Sequence, residues 1–202
     1  LQRVFEQAPD YCTRVTGYPA GAADAQSTFT ILPEGKSYED KFVYGIFVND
    51  EMVGCADIIR GYPTVDTAFV GLLLIAEPFQ KKGYGHKAYQ KLEAIIREWG
   101  VVGTIRLAVV ETNDIAFPFW ERVGFKRTGE VKPYRYDKLE TTAHFMEKKL
   151  GATAFARVRS GAPWETKVGY CRAVRAGGHV HVSGTAPKDA AYARELEAEV
   201  GR

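Results

Sequence analysis

The chain is predicted to fold as an α/β protein on a mixed sheet, antiparallel in its early strands and parallel where a glycine-rich loop joins a strand to a helix. Three stretches carry this expectation. Residues 69–76, Phe-Val-Gly-Leu-Leu-Leu-Ile-Ala, are almost unbroken in apolar character, as a strand buried on both faces must be. Residues 80–85, Gln-Lys-Lys-Gly-Tyr-Gly, follow, and from Tyr84 the apolar side chains recur at Ala88, Leu92, Ile95, Ile96 and Trp99, the spacing of an amphipathic helix. Thr104–Val110 is a second continuous apolar run, so strand, crossover helix and parallel strand form one unit with the loop at the top of its first strand.

The remaining elements follow in order. Residues 1–33 read as two short helices separated by the breaker Gly17-Tyr18-Pro19-Ala20-Gly21. Phe42–Val48 is rich in aromatic and branched residues and reads as a strand, Asn49-Asp50-Glu51 as a turn, and Met52–Arg60 as a second strand, giving an antiparallel hairpin. Gly100 closes the central helix. Asn113-Asp114 can cap a short helix that runs through Val123 and stops at Gly124. Residues 125–131 and 141–148 read as closing strands around a tyrosine-rich loop, Tyr134-Arg135-Tyr136. Composition shifts after Leu150, which divides the chain into a domain of residues 1–149, a linker at 150–154 and a segment of 155–202. That last segment carries short strand signals around Gly177-Gly178, the alternation His179-Val180-His181-Val182, and a charged, alanine-rich stretch at 188–200 expected to be helical.

Composition narrows the classes of function. The 202 residues are 46% hydrophobic and 12% aromatic, enough for a sizeable core. No apolar run approaches the ~20 residues of a membrane-spanning helix, and the first residues lack the basic, apolar, small-residue order of a signal peptide, so a cytoplasmic protein without a membrane partner is expected. A net charge of +2 is too slight for duplex nucleic acid, which is held by many basic contacts. Cys12, Cys55 and Cys171 are far apart and show no C-x-x-C spacing; they are expected to be reduced small hydrophobes, and no metal site is expected. The chain opens at Leu1 rather than Met, so its native start is expected to be missing.

The loop at 80–85 is an anion site in prospect. Its glycines allow close backbone approach, the following helix opens with free N–H groups, and a diphosphate suits such a place best. Gly83-Tyr84-Gly85-His86-Lys87-Ala88 also fits the dinucleotide fingerprint G-x-G-x-x-A, with Glu111 as a ribose-binding acid. Against that reading, Glu77-Pro78-Phe79-Gln80-Lys81-Lys82 separates the glycine from its strand, and the preceding hairpin has no place in a doubly wound sheet. A phosphate-binding P-loop would need Gly-Lys-Ser/Thr, which is absent. An ordinary strand-to-helix turn is the plain alternative.

Gln80, Gly83 and Gly85 meet the pattern Gln/Arg-x-x-Gly-x-Gly/Ala, and a second block agrees with it: Leu107-Ala108-Val109-Val110-Glu111-Thr112-Asn113, Ala116, then Phe119-Trp120-Glu121-Arg122-Val123-Gly124-Phe125. In both, the chain resembles the Gcn5-related N-acetyltransferase (GNAT) superfamily over about residues 1–149, without that family's usual first strand. The resemblance implies the acyl-CoA N-acyltransferase fold, with its two central strands splayed, and acetyl-CoA as cosubstrate. Backbone at Leu74 and Ile75 would pair with the pantetheine arm. Gln80, Lys81, Lys82, Gly83, Tyr84, Gly85 and His86 would hold the diphosphate, with Lys87 adding charge, and Asn113, Phe119 and Trp120 would flank the arm. The implied reaction is attack of a neutral primary amine, on a small molecule or amino acid derivative, upon the thioester. An alkyl amine of pKa ~10.4 must first lose a proton, for which Asp57, Glu77 and Glu111 are the candidate bases. Many relatives protonate the departing thiolate with a tyrosine where this chain has Trp120, whose indole N–H cannot serve. Tyr134 or Tyr136 would then be the acid, or none is used. Tyr18, Tyr44 and Tyr62, with the same pair, are candidate linings of the acceptor pocket. The alternative function is a CoA-binding or assembly module without turnover.

The tail carries a second resemblance. Arg159-Ser160-Gly161-Ala162-Pro163-Trp164-Glu165, Gly169-Tyr170-Cys171-Arg172-Ala173-Val174 and Val182-Ser183-Gly184-Thr185 look like the opening hairpin of the Rid family, with Ala190-Ala191-Tyr192-Ala193-Arg194 resembling the helix after it, and the later region that carries that family's arginine has no counterpart. An oligomerisation appendage, giving a dimer or trimer, is expected from it rather than deaminase activity.

Overall fold

A computed structural model describes residues 1–151 and, beyond them, the strand residues 156–158, 173–176 and 179–182. Three helices, not two, open the chain: α1 (Gln2–Glu6), α2 (Pro9–Thr16) and α3 (Asp24–Thr30). The extra break falls at Pro9, which has no N–H to bond into a preceding turn but suits the first position of a new helix. The glycine breaker acts where expected, Gly17 taking a left-handed φ of 82° and donating its N–H to Thr13 O.

β1 (Lys41–Val48) and β2 (Glu51–Arg60) form the antiparallel hairpin, and Asn49 and Asp50, at φ of 48° and 65°, make its two-residue turn. Both turn positions take the left-handed conformation that matches strand twist, so Glu51 belongs to β2. β3 (Thr67–Ile75) pairs antiparallel with β2, α4 (Tyr84–Glu98) crosses over, and β4 (Thr104–Val110) returns parallel to β3. α5 (Phe117–Arg122) precedes the long hairpin β5 (Lys126–Tyr136) and β6 (Leu139–Lys149). The sheet order is β1-β2-β3-β4-β6-β5, a mixed sheet with one parallel pair.

Two expectations near the C-terminal half are corrected. Asn113 and Asp114 do not cap a helix. Glu111–Ala116 is instead a 3-10 segment kinked at Asn113 (φ −99°, ψ 44°), and α5 starts at Phe117 behind Ala116, with no side-chain cap. Tyr134-Arg135-Tyr136 is not a loop but the end of β5, paired through Tyr136↔Leu139. A register shift between Arg127 and Val131 inserts extra residues at Gly129 (φ 83°), so the strand resumes beyond the point where its pattern breaks.

Each face of the sheet carries its own cluster. On one, α4 and α5 bury Tyr89, Leu92, Ile96, Phe117 and Trp120, with Phe125 after α5, against Ile58, Val70, Ile105, Leu107 and Met146. On the other, Val4, Phe5, Ala8 and Cys12 of the first helices pack with Cys55, Leu74 and Ala76. Cys12 and Cys55 are free and buried, and burial pushes their thiols up to about 11 and about 12, which keeps them protonated and inert near neutrality. Cys171 lies outside the described residues. Among those residues no helix is long and apolar enough to cross a membrane.

β7 (Ala156–Val158), β8 (Ala173–Ala176) and β9 (His179–Val182) make a separate three-stranded antiparallel sheet, β8 and β9 pairing from Ala173↔Val182 to Ala176↔His179. Most of the Rid-like stretches, and the helix expected at 188–200, lie outside the described residues.

Candidate functional site

The sheet opens in its middle. β3 and β4 pair at four positions, Thr67↔Thr104 through Val70↔Leu107, although β3 continues to Ile75 and β4 to Val110. Each strand keeps its outer neighbour to the end, through Gly54↔Ile75 on one side and Val110↔Ala143 on the other. The strands therefore diverge after Val70. Backbone edges of residues 71–75 and 108–110 face one another without ladder partners, and Gly71 and Ala108 are exposed there. Backbone N–H and C=O groups demand partners. An extended ligand carrying amides can supply them.

β3 leads directly from this opening into the glycine loop. A 3-10 turn, Glu77–Phe79, follows Ile75, and the Gln80 side chain donates from Nε2 to Ile75 O at 2.8 Å, fastening the loop to the strand end. Lys81 (φ 59°) and Gly83 (φ 82°) are both left-handed, and α4 opens without a side-chain cap. Its first bond runs from Lys87 N to Gly83 O at 3.1 Å, so the N–H groups of Tyr84, Gly85 and His86 lack acceptors within the helix. A Cβ at Gly83 would meet nothing within 4 Å, whereas one at Gly85 would lie 3.5 Å from Phe119 Cε2 and 3.7 Å from Ile75 Cγ1. Ile75, Gly85 and Phe119 thus converge from β3, α4 and α5. Uncapped N–H groups at a helix start with open space before them suit an anion.

The other residues named for this region are distributed differently. Lys81, His86 and Lys87 are exposed, but Lys82 donates from Nζ to Pro78 O at 2.8 Å and sits over the Phe79 ring. Leu74 is buried toward the first helices. Trp120 is 8% exposed and meets the rings of Tyr89, Phe119 and Phe125 at centroid distances of 5.8, 5.0 and 5.2 Å, which places it in the core beneath Phe119.

The three acids have distinct surroundings. Asp57 accepts from Lys41 Nζ at 2.8 Å through each oxygen, and its carboxyl is raised because burial outweighs the ammonium beside it. Glu77 accepts from Asp10 N at 2.9 Å in the first turn of α2, while its own N–H donates to Gln7 O at 2.8 Å; it is a helix cap supplied from across the fold. Glu111, at the end of β4, is exposed and accepts from Thr142 Oγ1 at 2.8 Å and Thr141 Oγ1 at 3.5 Å, both through Oε2. Thr142 Oγ1 is also 3.3 Å from His144 Nε2.

α2 is strapped beside the strand ends. Arg14 donates to Thr112 O and Asp114 Oδ1, both at 3.2 Å, Tyr134 OH donates to Val15 O at 2.8 Å, and Tyr18 OH donates to Asp137 Oδ2. Tyr11 of α2 is half-buried, its phenol raised by burial first and by Tyr134 next. Tyr44 packs on the α4 side of the sheet, and Tyr62 meets the Phe69 ring edge-on at 5.6 Å. Sequence reasoning missed Arg14, Lys41, Thr142 and His144. Only the charge of Asp57 within an apolar strand hinted that a partner such as Lys41 was required.

The model of the acetyltransferase (GNAT) family matches residues 9–125, more than half of the chain. Among solved structures, an acetyltransferase from Thermus thermophilus shares the fold with a TM-score of 0.56 at 24% identity, covering 74% of this chain and 88% of that one. The ribosomal-protein-S18-alanine N-acetyltransferase of Escherichia coli does so with a TM-score of 0.52 at 18% identity, covering 72% and 87%. No curated protein matches the sequence.

Proposed function

Because the chain belongs to the acetyltransferase (GNAT) family, matched over residues 9–125, we propose that it moves an acetyl group from acetyl-CoA to the primary amine of a small molecule or amino acid derivative. The observation that carries this reading is the divergence of β3 from β4 after four residue pairs, at the foot of an uncapped helix start. The residues present fit the cosubstrate. Free backbone along residues 71–75 suits the amides of a pantetheine arm, and the N–H groups of Tyr84, Gly85 and His86, with Lys81 and Lys87 nearby, suit a diphosphate. Gln80 and Lys82 support the loop through Ile75 O and Pro78 O rather than by reaching outward. Acetyl-CoA would supply a thioester whose thiol, of pKa near ~8.5, is a tolerable leaving group.

Glu111 is the base. It lies at the end of β4 beside the opening, and among the described residues its partners are neutral hydroxyls, whereas Asp57 is bound to a cation. It takes the proton of the incoming ammonium directly or through a water. No acid is required on the other side: Trp120 is buried, and Tyr134 OH is engaged with Val15 O. Tyr134, bonded to Val15 O of α2, and Tyr18, bonded to Asp137, border the acceptor.

Thiol release across a panel of amines, paired with acetyl-CoA calorimetry, tests the reading. Binding with turnover on at least one small amine supports it. Binding without turnover on any amine favours a CoA-binding module, for which Trp120 in place of tyrosine speaks, and absence of binding defeats both. The segment after Leu150 is read as an association element, Rid-like in sequence. Light scattering of the intact chain against one ended at Leu150 should give a dimer or trimer for the first and a smaller species for the second.

A further inference from the structure

The opening between β3 and β4 begins at one residue, and a charged group stands behind it. β2 pairs Asp57 with Leu72 and Ile58 with Val70, so Gly71 is the extra residue of a bulge. Pairing with β4 ends immediately before it, at Val70↔Leu107. A Cβ built on Gly71 would stand 2.9 Å from Asp57 Oδ2 and 3.5 Å from Asp57 Cγ, whereas the backbone oxygen of Asp57 would be 3.8 Å away. The obstacle to a side chain at 71 is thus the carboxylate. That carboxylate is pinned in turn by Lys41 Nζ, 2.8 Å from each oxygen, and the two side chains are 4% (Lys41) and 14% (Asp57) exposed. β1 and β2 therefore deliver a fixed, bidentate wedge against the one residue at which β3 leaves β4.

We propose that the Asp57–Lys41 pair, seated against Gly71, is a positioning device that holds the β3 bulge and sets the course of Leu72–Ile75 away from β4. The inference rests on the reading of the opening as the acetyl-CoA site. A buried ion pair adds little stability over apolar side chains of the same volume, but its fixed geometry suits a part whose task is to hold a shape. Asp57 acts here through the backbone of β3 and not on the reacting atoms.

The test compares Gly71→Ala, Asp57→Ala and the triple variant Gly71→Ala/Asp57→Ala/Lys41→Met with the intact chain. Three quantities are read: acetyl-CoA affinity by calorimetry, kcat at saturating acetyl-CoA, and hydrogen exchange of the residue 72–75 amides without ligand. Gly71→Ala and Asp57→Ala should each weaken acetyl-CoA by about tenfold or more and quicken exchange at 72–75, and Asp57→Ala should leave saturated kcat within about threefold. In the triple variant the added methyl enters the space the carboxylate leaves, so affinity and protection should recover. Unchanged affinity and exchange in both single-site variants would overturn the proposal. So would an Asp57→Ala variant that binds normally but loses about 10²–10⁴ in kcat, since that is the mark of a base. Gly71→Ala perturbs an exposed glycine, so it decides the matter if Asp57→Ala fails to fold. Should the unaltered chain not bind acetyl-CoA, the acetyl-transfer reading falls, while exchange at 72–75 still decides the role of the wedge.

Discussion

Among the described residues Glu111 is held by threonine hydroxyls, whereas Asp57 is held by Lys41 and Glu77 by the start of α2, and the proposed base rests on that difference. Glu111→Gln keeps the threonine contacts but removes the basic oxygen. We expect kcat to fall by about 10²–10³ while acetyl-CoA affinity stays the same; an unchanged kcat would move the base elsewhere. Trp120→Phe tests the absence of an acid. The residue packs on Tyr89 and Phe125 in the core, so the smaller ring should cost about 1–2 kcal/mol in stability yet retain appreciable turnover, and a loss of several thousandfold would assign Trp120 a part in the chemical step. At this scale Gln80, Gly83 and Gly85 were legible as a group because their spacing carries the constraint. What Gln80 and Glu77 bond to was not, since Ile75 O and the α2 start are brought near them by the fold.

Elements with a sustained pattern could be read directly. β3 and β4 are continuous apolar runs and α4 repeats its stripe over 15 residues, and each lies where its pattern put it to within two residues. The short pieces could not be read so. α5 has six residues and no side-chain cap, and its start is fixed by the packing of Phe117 and Trp120 rather than by Asn113. β5 passes through Gly129 and Pro133, both breakers in isolation, and is completed by pairing along β6. That pairing carries Tyr134 to α2. Tyr134→Phe removes its bond to Val15 O and should cost about 1 kcal/mol in stability. If, as proposed, it borders the acceptor and not the thioester, KM for the amine should rise more than kcat falls, which initial rates over a range of amine concentrations will read.

Over the whole molecule, ion pairs join layers that apolar packing alone would leave free to slide. Glu93 of α4 accepts from Lys148 of β6 and from Arg97 at 2.7 Å. Burial, the largest influence on its carboxyl, acts to raise it, but the bonds from Lys148 and Arg97 prevail and hold it below the usual range. A depressed carboxyl contributes stability that is present above its unfolded pKa and is lost as pH falls through the folded value. Asp40, lowered chiefly by Lys36 against the opposing effect of burial, adds in the same sense, while Asp57, raised by burial, acts oppositely. Denaturant midpoints should therefore drop as pH falls below about 4.5, and Glu93→Gln should shrink that drop; an undiminished acid slope would place the dependence on other groups.

The central opening also makes this sheet mechanically two objects. β1-β2-β3 and β4-β6-β5 are three-stranded half-sheets, and the four pairs from Thr67↔Thr104 to Val70↔Leu107 are all the ladder between them. Each half is antiparallel throughout and contains a hairpin, β1-β2 in one and β5-β6 in the other. Their joint is a short hinge at one end of a cleft, and a load that pries the halves apart should part the chain along that seam before either hairpin yields. A ligand strand laid into the cleft would bridge both sides, turning a hinge into a plate.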